Sequence, residues 1–241
     1  MNSTMAKINS FCRIQEERHL RCIGRLLRSK KLILMVDLDN TVLHSAKNKV
    51  EGADQCDDII SWKSNNRLKW RMTKIRPHAR QFLSNMSHLF EMSIFTNAGT
   101  RYAKRMAKIL DADGHLFRNR IYTSEDLMLN DCTSKSSYLA DMFPYGDDMV
   151  VIIDDREDVW NSALNLIQVQ PYEFFLEDSE NKTIVPDLDH DNYLPYLETL
   201  LRRAHCEFFA KFSQYKMSNG LPFPNTKLIV PRIIQKNSKR Q

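Results

Sequence analysis

No Cys-x-x-Cys pair occurs in the 241 residues, and the five cysteines, Cys12, Cys22, Cys56, Cys132 and Cys206, are odd in number and scattered. That argues against a disulfide framework and for a reducing compartment. The apolar runs are all far shorter than the roughly 20 residues of a membrane span. The N-terminus carries no apolar signal segment. There is no internal repeat and no low-complexity block. The basic residues near both ends lack the interleaved aromatics of a nucleic-acid surface. Neither a membrane nor direct contact with nucleic acid is therefore expected.

What is present is ordinary globular material, 42% hydrophobic and 27% charged, enough for one substantial core or a core with an appendage. The net charge of +5 permits acidic or phosphorylated partners without demanding them. Arg18, Arg21, Arg25 and Arg28 recur beside Leu20, Ile23, Leu26 and Leu27. Such a run can mark a mitochondrial presequence, but Glu16 and Glu17 speak against that. A packed surface helix with a solvated basic face is the expectation.

Strands and helices alternate after that. Leu32–Val36 and Met149–Ile153 are apolar on both faces, as buried parallel strands are. Residues 57–76 read as a hairpin turning at Ser64-Asn65-Asn66, with Leu68, Trp70 and Met72 on one face. Pro77 opens a helix over 77–89 with Phe82, Leu83, Met86 and Leu89 as its stripe. Met92–Phe95 is a strand, 99–110 a helix, and Ile121–Thr123 and Leu166–Val169 are minor strands. Residues 194–212 are helical, and the polar tail from Gln235 is expected to fray. The pattern predicts an α/β fold, a Rossmann-like parallel sheet with helices on both faces and a small β-hairpin insert.

In such sheets ligands bind beyond the carboxyl ends of the strands. Three strands here end in reactive groups: Asp37 and Asp39, then Thr96, then Asp154 and Asp155. Two carboxylates about 4 Å apart repel by roughly 4 kcal/mol at an effective dielectric near 20. Four in one crevice call for a cation, and magnesium, which favours a few carboxylates plus phosphate oxygens, suits them. Phosphoryl chemistry follows. Asp37 is the candidate nucleophile. Asp39 is the acid that protonates the departing oxygen and then the base that activates water. Thr96 is the hydroxyl donor. Lys135, the single lysine between Lys108 and Asp154, is the cation for the phosphoryl group. Asp37, Asp39, Asp154 and Asp155 are the expected metal ligands.

DLDNT at 37–41, Thr96, Lys135 and Asp154-Asp155 together resemble the four motifs of the haloacid dehalogenase superfamily. The stretches VDLDNTVLHS, KIRPHARQFL, FTNAGTRYAKRMAKILDADGHLF and VVIIDDREDVWNSALNLIQVQPYEFF are similar to the transcription factor IIF-associating family of RNA polymerase II C-terminal-domain phosphatases. The resemblance spans about residues 20–233. It implies a haloacid dehalogenase-like fold, a magnesium-dependent phosphoserine phosphatase, and the nucleus. The phosphorylated C-terminal domain of the polymerase would be the substrate, with general transcription factors as further partners. Arg76, Tyr102, Arg156 and Asp158 match family positions in or beside the site and are expected to bind substrate. Full-length members usually carry a BRCT module that this chain stops short of holding, and their lysine-to-Asp-Asp interval is shorter than Lys135-to-Asp154. A divergent paralogue is expected.

The expected organisation is a helical segment over 1–29, a catalytic domain over 30–185 with a hairpin insert at 45–75, a helical extension over 186–234 and a basic tail over 235–241. Neither gap between motifs leaves room for a cap domain, which is typically at least about 50 residues. An open crevice suits a protein substrate better than a metabolite. The other reading is an inactive scaffold of the same fold that binds polymerase or an import partner. Several motifs fail on their surroundings. The two C-x5-R stretches at 12–18 and 22–28 are bulky and helix-like, unlike a phosphate loop. YGDD at 145–148 is a turn. DLDHDNYLPYLE at 187–198 has EF-hand spacing, but Asn192 replaces the turn glycine, so a helix start with Asp191 near its cap is preferred.

Overall fold

A computed structural model describes residues 2–50, 52–53, 56–63, 70–177, 182–184, 188, 190–218 and 220–238. Side-chain statements begin at Arg13. The centre is a five-stranded parallel sheet built from β1 (Leu32–Val36), β5 (Phe90–Phe95), β6 (Ile121–Tyr122), β7 (Val150–Asp154) and β8 (Leu166–Gln168), in the order β6-β5-β1-β7-β8. β1 lies in the middle because all five of its residues are apolar and buried, which only a strand covered on both faces tolerates. The chain winds one way from β1 to β5 and β6, then returns past β1 to β7 and β8. Crossovers of the usual right hand, running in opposite directions from β1, would put helices on both faces.

The helices are α1 (Asn2–Arg28), α2 (Ala79–Ser87), α3 (Thr100–Leu110), α4 (Ser124–Leu129), α5 (Lys135–Met142), α6 (Tyr193–Met217) and α7 (Thr226–Ser238). The stripe read for 77–89 is buried at Phe82, Leu83 and Met86 of α2. α6 packs on α2 and on α7, and α7 reaches β7 and β8. Among its described side chains, α1 packs on the core through Cys22, Ile23, Leu26 and Leu27. Leu26 is buried and Arg25 clasps Glu91 of β5 at 2.8 and 2.9 Å, whereas Leu20 is exposed. The apolar run read there as one packed face therefore divides in two.

The predicted hairpin forms, as β3 (Ile59–Lys63) and β4 (Trp70–Ile75), and gains a third strand. Strand β2 (Leu43–Ala46) pairs antiparallel with β4, giving a three-stranded sheet. The predicted turn at Ser64-Asn65-Asn66 and Leu68 lie outside the described residues. Two short strands, β9 (Phe175–Glu177) and β10 (Lys182–Ile184), form a separate ribbon. Phe174 and Phe175 share a small second core with Ala46, Val50 and Met72. The tail does not fray at Gln235. α7 continues to Ser238, and the Asn237 side chain is buried and accepts a hydrogen bond from Arg203. Among the described residues no helix is long and apolar enough to cross a membrane.

Candidate active site

Asp37 follows β1 directly, and its backbone N–H still donates to Ile153 O of β7 at 3.0 Å. The last rung of the β1–β7 ladder therefore sets its carboxylate beside Asp154, the last residue of β7. The chain then reverses. Asn40 takes a left-handed φ of 60°, which asparagine accepts more readily than most residues. The N–H groups of Thr41 and Val42 fold back onto Leu38 O. β1 and β7 are where the winding of the sheet changes direction, the place where α/β sheets open a crevice.

Lys135 bridges the two strand ends. Its Nζ lies 2.5 Å from Asp37 Oδ1 and 2.6 Å from Asp154 Oδ2, and the side chain is only 2% exposed. It reaches them from the first turn of α5, whose start is fixed by a reciprocal cap: Ser134 Oγ accepts from Ser137 N, and Ser137 Oγ is bound to Ser134 N. Residues 134–137 thus form a capped helix start. The ammonium also lies 5.8 Å from the Phe95 ring and 5.5 Å from the Trp160 ring. Burial pulls its pKa down, but the two carboxylates more than offset that and leave it raised.

Asp154 is tied at both oxygens. Oδ2 also accepts the Trp160 indole N–H at 2.8 Å, and Oδ1 accepts the Arg156 backbone N–H at 2.9 Å. Asp155 is half-buried, with Thr41 Oγ1 3.5 Å from its Oδ1. One oxygen from each of Asp37, Asp154 and Asp155 can be chosen so that all lie within 4.8 Å of one another. Burial raises Asp37 to about 8, against the opposing pull of Lys135. Burial and Asp154 raise Asp155. Three hard oxygen donors this close, with Asp37 and Asp155 both holding their charge reluctantly, fit a divalent cation.

The remaining site residues divide. The Asp39 carboxylate lies outside the group of three whose oxygens come within 4.8 Å of one another. Its Oδ1 instead accepts the Tyr102 hydroxyl, and burial leaves its pKa raised. Tyr102 thereby reaches the crevice, with Ser45 Oγ 2.7 Å from its oxygen. Thr96 follows β5 directly and is buried, with its hydroxyl oxygen accepting Ala98 N–H at 3.0 Å, so its proton stays available. Arg76 does not face the crevice. It is fully buried, donates to Thr41 O, Gln170 O and Asp191 Oδ2, and lies against the Tyr172 and Tyr193 rings. Its task is to hold the loop after Asp39. Arg156 and Asp158 are exposed and paired with each other at 2.5 Å. Two residues carry more than the sequence disclosed. Trp160 is buried in the core and also steers Asp154. Asp191 sits near the start of α6, accepting Tyr193 N–H at 2.7 Å, and is the partner of Arg76 as well.

Fold and site together define a haloacid dehalogenase-like α/β domain. Residues 32–208 match the model of the NLI interacting factor-like phosphatases, and the chain belongs to that family. It is 37% identical over 200 residues to an RNA polymerase II C-terminal domain phosphatase of Caenorhabditis elegans, covering 78% of this chain and 30% of that protein. To the human protein of the same name it is 39% identical over 151 residues, 63% of this chain and 15% of the relative. The chain thus spans less than a third of either relative. A solved structure of Fcp1, described as an essential RNA polymerase II CTD phosphatase, superposes with a TM-score of 0.76 at 28% identity, covering 90% of this chain and 74% of that one.

Proposed function

We propose that this chain is a magnesium-dependent protein serine/threonine phosphatase that works through an aspartyl-phosphate on Asp37, with the phosphorylated C-terminal domain of RNA polymerase II as its substrate. The observation that carries the reading is the meeting of Asp37, Lys135 and Asp154 at adjacent strand ends. Similarity to the polymerase phosphatases supports the choice of substrate, and a nuclear location and contact with general transcription factors follow from it. Residues 30–185 would form the catalytic body, flanked by 1–29 and 186–234.

Magnesium held by Asp37, Asp154 and Asp155 would neutralise the phosphate oxygens and lower the pKa of Asp37. Lys135 fixes Asp37 Oδ1, leaving the other oxygen to attack phosphorus. The serine oxygen leaves with a proton from Asp39, whose raised pKa keeps it an acid nearer neutrality. Tyr102 orients that carboxyl. Asp39 then takes a proton from water as the water oxygen attacks phosphorus and Asp37 departs. The Thr96 hydroxyl and the Lys135 ammonium are the donors for the phosphoryl oxygens.

The test is turnover of an aryl phosphate and of a phosphorylated heptad peptide, with and without magnesium, beside Asp37→Asn. Magnesium-dependent hydrolysis of both, lost in the variant, is expected. Failure of both substrates would favour the scaffold, and turnover of small phosphates but never the peptide would favour a metabolite phosphatase.

A further inference from the structure

Between the insert sheet and α3 a cleft of about 730 Å³ opens from Asp39 and Tyr102. Its lining carries five cations, Lys47, Lys63, Arg71, Arg101 and Arg105, against Glu173 and Asp39. Among the described residues none of these cations forms an ion pair. Trp62 stands among them. The Arg105 guanidinium is 5.0 Å and that of Arg71 5.9 Å from its ring, and the Tyr102 ring is 5.9 Å away on centroids. Arg71 is close enough to Asp39 to draw its pKa down against burial.

This wall is built into the site. The Trp62 indole donates to Thr73 Oγ1 at 3.0 Å, Thr73 Oγ1 lies 2.8 Å from Ser45 Oγ, and Ser45 Oγ lies 2.7 Å from the Tyr102 hydroxyl that holds Asp39. An unbroken hydrogen-bonded chain therefore joins the arginine-bearing tryptophan to the proposed acid. Five cations facing two acids leave an excess of positive charge that repels itself, and a bound anion relieves that repulsion. The anion must be a second one, because the phosphate being removed belongs beside Asp37 and Lys135.

We propose that the cleft takes a phosphopeptide at two points, with a second phosphate a few residues from the scissile one seated on Arg101 and Arg105 across Trp62. An extended peptide advances about 3.3 Å per residue, so a phosphate two to four residues away sits roughly 7–13 Å along the chain from the scissile one, beyond the reach of Lys135. The proposal rests on the phosphatase reading, and it makes a multiply phosphorylated segment the preferred substrate.

The test is equilibrium binding to Asp37→Asn protein of three heptad-type peptides: one with a single phosphoserine, and two with a second phosphoserine three residues to either side. At least one doubly phosphorylated peptide should bind about tenfold more tightly at low salt. Adding Arg101→Gln and Arg105→Gln should erase most of that gain while leaving the singly phosphorylated peptide nearly unchanged. The same pair in the otherwise native chain should leave kcat/KM for an aryl phosphate intact, which also reports folding. Equal affinity for all three peptides, an equal loss for all three in the arginine variant, or tighter binding of a single-stranded oligonucleotide than of any peptide would overturn the proposal. Absence of aryl phosphate turnover by the native chain would defeat the phosphatase reading alone, and the binding comparison would still decide the second site.

Discussion

Arg76 and Asp191 stand 115 residues apart in the chain and form a buried ion pair, Nε to Oδ2 at 2.5 Å. The pair pins the start of α6 to the loop that follows the catalytic strand, since Arg76 Nη1 also donates to Thr41 O. Removing one partner strands a charge that water cannot reach. Asp191→Asn should cost about 3–5 kcal/mol of stability. Chemical denaturation measures that, and a loss below about 1 kcal/mol, the scale of an exposed pair, would refute the pinning role.

Trp160 and Asp154 give the second prediction. Trp160→Phe keeps an aromatic ring against Phe95, 5.2 Å away on centroids, but removes the N–H that holds Asp154 Oδ2. Groups that orient a metal ligand are typically worth about 10–100-fold in affinity or activity. Magnesium titration of activity should show a raised half-saturation in this variant. An unchanged magnesium dependence would mean the indole only fills space.

The third concerns pH in the metal-free protein. Burial raises Asp37 from its ordinary 3.8 to about 8. The folded state then keeps a proton that the unfolded chain releases, so stability is lost as pH rises through that window. Magnesium competes with the proton, and its stabilising effect must grow over the same range. Thermal melts at pH 6 and pH 8, with and without magnesium, should show the larger rise in Tm at pH 8. A rise that shrinks with pH would contradict this assignment.

A fourth separates the two reactive aspartates. In the proposed mechanism Asp39 protonates the leaving oxygen, which an alkyl serine oxygen needs and an activated aryl oxygen does not. Asp39→Asn should lower kcat by about 10²–10⁴ on a phosphoserine peptide and far less for formation of the phosphoenzyme from an aryl phosphate. For the peptide, kcat should fall as pH rises through the raised pKa of Asp39. Equal losses on both substrates in the phosphorylation step would remove Asp39 from the acid role.

Much of this was legible in the sequence because buried parallel strands write themselves as apolar runs. Leu32–Val36 and Met149–Ile153 disclosed the sheet centre, and the aspartates after them disclosed the crevice. α4 and α5 were not legible. Both are short helices that begin at reciprocal caps, at Thr123 and Ser134, and neither has enough turns to show periodicity. That is why Lys135 could be picked by elimination but not placed on an element. Arg76 was misplaced because an arginine beside a motif looks the same in sequence whether it faces substrate or a distant buried acid. β2 escaped because His44 and Ser45 break the apolar alternation. Both are half-buried, and His44 Nδ1 accepts the Phe175 N–H.

The central claim is that the carboxylate of Asp37 is phosphorylated during turnover. Rapid acid quench with a phosphoserine peptide and magnesium, followed by borohydride reduction and peptide mass spectrometry, tests it directly, because an acyl phosphate is reduced to an alcohol where a free carboxylate is not. The reduced residue is expected at position 37, and it should be absent when peptide is omitted. A reduced residue at another position, or full peptide hydrolysis by Asp37→Asn, would contradict the claim.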